Sequence, residues 1–410
     1  MASPSGNRRV AIVTFGCKVN LFESEQLATA LSGYTLVDAD GPADLYIVNG
    51  CTVTAAADAQ VRSMARRLSR TGAPVIVTGC YARTNDSHRP VEEGIVYLPD
   101  IAAVARYLER AVNDDFTVLR ARPVIKIEDG CTGSCAYCVI PSVRGRDIRS
   151  VPPDTVEQLL RSVHDRGYRE VVLTGIHVGK YGHERADGAR LADIVEMAHA
   201  IVGRVRLSSL EADEIDDRLL ALAAAGKIVP HWHIPLQAGS DVVLRAMRRP
   251  SGTELFAEKV RAVAACYVEP PAIGTDIIVG FPGESDAHFE EAFQFISSLP
   301  FTYGHVFPFS PRPGTPAAEL HKTIGVPPAV KKERSRRLRE LFAAKKRDFQ
   351  RSQVGRAMAM ILETAVAPDR FEGTTDTYFQ LTYRGKGQVK DLKKVVIRKE
   401  GKTYFAEEDR

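Results

Sequence analysis

Residues 128–150 read EDGCTGSCAYCVIPSVRGRDIRS and place Cys131, Cys135 and Cys138 in one loop with the spacing C-x3-C-x2-C. The loop follows PVIKIED (123–129), a short apolar run of the kind that forms a buried strand. Thiolates this close together share a metal or an iron–sulfur group. A structural zinc usually closes with four ligands, and no fourth cysteine lies nearby, although a distant histidine such as His177 could complete one. An iron–sulfur cube on three cysteines instead leaves one iron open to a small molecule.

Downstream, the same strand pattern recurs in EVVLTGIH (170–177), RVRLSSLE (204–211), HWHIPLQAG (231–239), AIGTDIIVGFPGE (272–284) and YGHVFPFS (303–310). Helix-like stretches such as TVEQLLRSVHDRG, RLADIVEMAHAIV and HFEEAFQFISSL separate them. Six strand–helix units predict a parallel barrel or partial barrel, with reactive groups at the carboxyl ends of its strands. The cysteine loop lies on that face.

Upstream, three apolar runs end alike: VAIVTFGC (10–17), DLYIVNGC (44–51) and APVIVTGC (73–80). Each predicts a buried parallel strand followed by Gly-Cys, with helices FESEQLATALS, stopped at Gly33, and AAADAQVRSMARRLSR, stopped at Gly72, between them. In a doubly wound sheet, loops past the strand ends converge, so Cys17, Cys51 and Cys80 are expected to meet in space. Beyond Pro327-Pro328 comes a helix with ten Lys/Arg against three Asp/Glu between Lys331 and Arg351. It is either a solvated face or a surface for an RNA backbone. AMAMILETAV, YFQLTY and KVVIRK then predict a small β-barrel, of a kind that binds nucleic acids.

A chain of 410 residues exceeds one ordinary core. With 44% hydrophobic and 26% charged residues it reads as a globular enzyme rather than a fibrous or disordered chain. No apolar signal core or membrane-length run is present, so a cytoplasmic chain away from the membrane is expected. Seven cysteines without an export signal favour metal or redox chemistry over a disulfide framework. A net charge of +4 is too small to establish a nucleic-acid partner by itself.

C-x3-C-x2-C with Tyr137 before its last cysteine resembles the signature of the radical S-adenosylmethionine enzymes. In that superfamily the open iron chelates the cofactor, and one electron cleaves it to a 5′-deoxyadenosyl radical. TFGCKVNLFESE, VNGCTVT, VTGCYAR, the cysteine loop, LTGIHVGKYG, HIPLQAGSDVVLRAMRR, IGTDIIVGFPGES and FSPRPGTPAA occur in the order of the methylthiotransferases and span nearly the whole chain. The resemblance implies three units. They are an N-terminal doubly wound α/β domain (1–119), a radical-SAM partial (β/α)6 TIM-like barrel with the basic helix (120–353), and a small TRAM-like β-barrel (354–410).

It also implies two 4Fe-4S clusters, one on Cys17, Cys51 and Cys80 and one on Cys131, Cys135 and Cys138. S-adenosylmethionine would be lined by Tyr137, Thr174, Gly175, Gln237 and Gly280, with no catalytic residue beyond the clusters. Cys266, in an apolar helix, is expected to be a small core residue. His177, His231 and His233 are expected to be structural. The loop arginines Arg144, Arg146 and Arg149 are either solvated or anchor phosphate or carboxylate.

Three functions follow. The motif wording GCKVN, VNGCTVT and LTGIH resembles the subgroup that converts N6-threonylcarbamoyladenosine at tRNA position 37 to its 2-methylthio derivative. The alternatives are a methylthiotransferase for isopentenyladenosine or for an aspartate of a small-subunit ribosomal protein, and a non-enzymatic iron–sulfur or zinc protein. An electron carrier would normally close all four ligand positions, which counts against the last. The implied partners are the tRNA anticodon stem-loop, an electron donor such as flavodoxin or ferredoxin, and a sulfur donor that the sequence does not identify.

Overall fold

The runs ending in Gly-Cys are strands of one sheet. In the computed structural model, which describes residues 8–84, 89, 93–112, 116–118 and 120–409, they are β1 (Arg9–Thr14), β3 (Leu45–Asn49) and β4 (Val75–Thr78). Met1–Asn7, and Leu119 at the end of the expected first unit, lie outside the described residues. With β2 (Thr35–Leu36) and β5 (Ile95–Tyr97) the strands run parallel in the order β2-β1-β3-β4-β5. Every residue of β3 and β4 is buried because both sheet faces are covered. Helices α1 (Lys18–Ala30) and α3 (Ile101–Tyr107) cover one face through Leu27, Leu31 and Val104, and α2 (Ala55–Ser69) covers the other through Val61, Ala65 and Leu68. Chain order reverses between β1 and β3, so Cys17 and Cys51 flank the switch point where such sheets bind ligands.

The first helix starts four residues earlier than its sequence pattern indicates. Cys17 is extended and serves as the N-cap, so the turn begins immediately at Lys18. The buried face of α1 is unusually polar, including Asn20, Glu23, Ser24 and Glu25, which is why apolar periodicity misplaces its start.

The second unit contains β6 (Val124–Lys126), β7 (Glu128–Asp129), α4 (Ile140–Arg144), β8 (Arg149–Ser150), α5 (Pro153–Asp165), β9 (Val171–Thr174), α6 (Leu191–Val202), β10 (Val205–Leu207), α7 (Asp217–Ala224) and β11 (His231–His233). It continues with α8 (Asp241–Ala246), α9 (Thr253–Ala265), β12 (Ala272–Val279), α10 (Asp286–Ser298), β13 (Tyr303–Pro308), α11 (Pro316–Ile324) and α12 (Pro328–Ser352). Parallel sheets β10-β9-β6 and β11-β12-β13 are joined by a bridge between Ser209 and His233. The six strands expected from sequence therefore form a partial barrel.

The basic helix α12 lies against β13 and α10, and much of its charge serves the fold. Arg334 is buried between Glu284 and Asp286, Arg337 pairs with Glu290, and Arg339 and Lys345 donate to backbone carbonyls. These contacts add a structural role to the two readings open from sequence.

Five strands, β14 (Ala357–Ala367), β15 (Arg370–Thr375), β16 (Gln380–Arg384), β17 (Leu392–Glu400) and β18 (Thr403–Glu408), close a small barrel around Met360, Leu362, Tyr383, Val395 and Ile397. It docks on the partial barrel through buried charge. Glu170 accepts from Arg204 (2.8 Å) and Arg206 (3.1 Å), and Arg206 donates onward to the carbonyls of Thr375 and Asp376. Arg122, 3.8 Å from Glu170, pairs with Glu363 of β14. Burial alone would raise the Glu170 carboxyl, but the three guanidinium charges outweigh it and hold it down at about 2.

Removing this carboxylate leaves buried guanidinium groups without a counter-charge. Glu170→Ala is expected to cost about 3–5 kcal/mol, measured by urea unfolding followed through the single tryptophan, Trp232. With a folded value near 2 and an ordinary value of 4.5, the Glu170 contribution is complete above pH 4.5 and is lost as pH falls toward 2.

Candidate active site between two cysteine triads

The loop from Gly130 to Val139 leaves β7 and enters α4. Gly130 makes its first turn at φ +99°, where an added Cβ would lie 2.0 Å from the Asp147 carbonyl oxygen, so no other residue fits without moving the backbone. The loop is pinned by backbone bonds from Cys131 to Gly145 (3.1 Å), from Ala136 to Met247 (2.9 Å) and from Ala317 to Ala136 (2.9 Å).

Each sulfur has a characteristic neighbour. The Cys131 thiol lies 3.5 Å from His177 Nδ1 and accepts from the Gly133 N–H at 3.3 Å. The other ring nitrogen of His177 is 2.7 Å from the Glu214 carboxylate. Arg249 directs one guanidinium N–H at Cys135 (3.8 Å) while paired with Glu211. Burial pushes the Cys138 thiol up to about 12, so a thiolate there needs a compensating positive charge.

The second triad gathers at the switch point of the N-terminal sheet. An added Cβ on Gly16 would lie 2.7 Å from Cys51 Cβ. The Asn20 carboxamide oxygen is 3.6 Å from Cys17 Sγ and 4.0 Å from Cys80 Sγ. Asn20 Nδ2 in turn donates to Asn49 Oδ1 at 3.1 Å. Cys51 and Cys80 are buried, and Cys17 is exposed.

Arg144, the last residue of α4, joins the two triads. Its guanidinium is fully buried and donates to Cys80 Sγ (3.1 Å), to Asn20 Oδ1 (3.1 Å) and to both oxygens of Glu23. Lys126 of β6 reaches the same carboxylate at 3.2 Å. Of the two roles open to this arginine from sequence, the structure selects carboxylate anchoring. Arg146 and Arg149 are exposed.

Between the triads lies a cavity of about 260 Å³, lined by Val53 and Thr54 beyond Cys51, by Tyr137 to Ile140, by Gln237, and by Asp276, Ile278 and Phe307 to Ser310. That size suits a small organic molecule or a single nucleobase.

Residues 9–96 match the Uncharacterized protein family UPF0004, and residues 125–296 match the Radical SAM superfamily. A Bacillus subtilis protein named threonylcarbamoyladenosine tRNA methylthiotransferase MtaB is 34% identical, covering 96% of this chain and 95% of its own. The MtaB of Thermotoga maritima is 33% identical over 92% of each chain. The chain belongs to the radical SAM methylthiotransferases. A family member from Alkalilimnicola ehrlichii, named tRNA-2-methylthio-N(6)-dimethylallyladenosine synthase, is 32% identical over 92% of each chain. Among solved structures, the radical S-adenosylmethionine methyltransferase TsrM of Kitasatospora setae shares the fold at TM-score 0.51 and 16% identity, over 76% of this chain and 77% of that one.

Membership implies S-adenosylmethionine and a 4Fe-4S cluster. The donor set of this methylthiotransferase fits such a group: soft thiols on one loop, and charge-assisted donors from Arg249 beside them. Of the five residues expected around the cofactor, Tyr137 and Gln237 line the cavity, and Gln237 does so at an unusual φ of +71°. Thr174 is buried at the end of β9, and Gly175 lies against Glu128, whose Oε2 would be 2.5 Å from an added Cβ. Gly280 turns at φ +72° under Lys331, with its N–H on Glu284, and is not among the cavity-lining residues.

His177, expected to be a satisfied structural residue, finds its partners in Glu214 and in Cys131, 46 positions away. Glu128 and Arg249, which brace the same loop, carry no sequence signal because their contacts exist only once the strands align. Among the described residues, Cys266 hydrogen-bonds to the carbonyls of Leu220 and Ala262, as expected of a packing residue.

Proposed function

We propose that the chain is a tRNA methylthiotransferase that converts N6-threonylcarbamoyladenosine beside the anticodon, at position 37, to its 2-methylthio derivative. The observation that carries this reading is the cavity between the two triads, with Cys138 on one wall and the residues after Cys51 on the other. Cys131, Cys135 and Cys138 would hold the 4Fe-4S cluster that takes S-adenosylmethionine, and Cys17, Cys51 and Cys80 a second one. When bound, the first group supplies one-electron cleavage of S-adenosylmethionine and the second supplies sulfur for methylation and delivery to carbon.

The chain's own residues position and shield this chemistry. Tyr137 and Gln237 line the cofactor side of the cavity, while Thr174 and Gly175 at the end of β9 complete that side. The Gly280 turn, braced by Glu284, holds the end of β12 behind it. His177, held by Glu214, fixes the Cys131 wall, and Arg249 places a positive charge beside Cys135. Such donors and charges near cluster sulfurs tune its potential. Ile278, Phe307 and Phe309 keep water from the reacting carbon.

The N-terminal unit (1–119), the barrel with α12 (120–353) and the TRAM-like barrel (354–410) divide sulfur supply, radical chemistry and tRNA docking. Electrons come from a small donor of the flavodoxin or ferredoxin type, in the cytoplasm where tRNA is modified.

Cys135→Ala is expected to abolish both 5′-deoxyadenosine formation and methylthiolation in reconstituted enzyme, and an active variant would remove the radical-cluster assignment. Cys51→Ala should retain cofactor cleavage and lose sulfur insertion; unchanged product would sink the role of the second triad. Substrate identity is tested by mass spectrometry of tRNA nucleosides from cells lacking the gene and from the same cells carrying it again. Loss and return of 2-methylthio-N6-threonylcarbamoyladenosine is expected, and an unchanged profile redirects the chemistry to another substrate.

A further inference from the structure

The inner faces of β11, β12 and β13 carry a polar group that the chemistry above does not use. Register places His233 beside Gly274, Gly274 beside Tyr303, and Asp276 beside His305. One ligand-capable atom from each of His233, Asp276 and His305 lies within 4.8 Å of the others. Ser209 Oγ engages His233 Nδ1 at 2.8 Å, which turns Nε2 toward Asp276 Oδ1, 3.3 Å away. That Nε2 is buried and has no hydrogen-bond partner among the described residues. The rings of His233 and His305 stand 5.9 Å apart.

Of the three, Asp276 lines the cavity between the triads. Gly274 makes room here, because an added Cβ would lie 2.0 Å from the Tyr303 ring that crosses the strand. Burial lowers the His305 imidazole, while the neighbouring Asp276 carboxylate works against that shift.

A buried imidazole nitrogen without a hydrogen-bond partner, as His233 Nε2 is among the described residues, costs free energy unless a ligand satisfies it. The two kinds of N6 substituent named among the relatives differ sharply here. Dimethylallyl is a hydrocarbon with nothing to offer these groups. Threonylcarbamoyl carries N–H donors, a hydroxyl and a carboxylate, which between them match every member.

We propose that Asp276, His233 and His305 form the specificity pocket for the N6 substituent of the target adenosine. Asp276 accepts from its ureido N–H or hydroxyl, and the two histidines donate to its carboxylate. This inference rests on the threonylcarbamoyladenosine reading given above. It adds the residues that read the substituent, and it explains why such a pocket rejects an apolar one: its own polar groups would stay unpaired.

The test uses full-length reconstituted enzyme and three anticodon stem-loop RNAs that differ only at N6. One carries threonylcarbamoyl, one its neutral carboxamide, and one dimethylallyl. Wild type is expected to favour the carboxylate over the carboxamide in kcat/KM by about ten- to a hundred-fold, the range for one hydrogen bond to a charged group. His305→Leu should erase that preference through KM for the carboxylate RNA. The isosteric Asp276→Asn should weaken both polar RNAs alike. Iron content per chain and the spectrum of the reduced clusters, matched to wild type, separate recognition from cofactor loss.

Equal use of carboxylate and carboxamide by wild type would overturn the pocket while leaving the function intact. So would a His305→Leu enzyme that keeps the preference, or an extra equivalent of zinc held by wild type and lost in His305→Leu, which would make the group a cation site. No turnover of the threonylcarbamoyl RNA by wild type would instead remove the functional reading, and the pocket with it.

Discussion

The buried pair between Arg144 and Glu23 ties the parts of this enzyme together. Glu23 belongs to the first helix of the N-terminal sheet, and Arg144 ends the helix that follows Cys138. Burial by itself would raise the Glu23 carboxyl; the charges of Lys126 and Arg144 outweigh it and hold it at about 2. A pair of this kind adds little net stability compared with a well-packed apolar contact, yet breaking it is costly. Its value lies in specifying one arrangement. The fork of Arg144 can meet Glu23, Asn20 and Cys80 together only when the two cysteine triads face each other across the cavity. The apolar patch of Cys80, Val139 and Val143 fills the space around it and excludes water.

The same logic recurs within and between the units. Arg312, after β13, reaches Asp58 and Thr52 beside Cys51. Arg334 of α12 closes on Glu284, which caps the Gly280 turn. Glu170 gathers Arg122, Arg204 and Arg206 under the C-terminal barrel, whose Tyr378 stacks on His231 with ring centroids 4.4 Å apart. Each of these arginine contacts joins a rigid guanidinium to a carboxylate well separated in sequence. Apolar surfaces could slide by a residue at modest cost, whereas a buried fork that misses its carboxylate leaves two unpaired charges. Cofactor and substrate must be held within fractions of an ångström of one another, which favours the less forgiving contact.

Legibility in the sequence followed this division. Strand runs, their Gly-Cys endings and the cysteine spacing are local patterns, so the parallel sheet, the six barrel strands and both triads could be read directly. What failed to register was long-range. Arg144 looked like one of three loop arginines, and only Glu23, 121 positions earlier, distinguishes it from Arg146. His177 gains its place from Cys131 and Glu214, and His233 from Asp276 and His305, through register that no single stretch encodes. The early start of α1 escaped notice because its first turn buries polar residues that serve the triad rather than the core.

Those polar residues also show why the site is built from two folds rather than one. A cavity lined only by barrel strands would meet its radical group on one side and solvent on the other. Laying the N-terminal sheet across it supplies a second wall, Val53 and Thr54 just beyond Cys51. Cys17 caps the helix whose first turn carries Asn20, and Asn20 lies near the sulfurs of Cys17 and Cys80 and accepts from Arg144. The loop after β1, the start of α1 and the end of α4 are thus positioned together, at the point where chain order in the first sheet reverses.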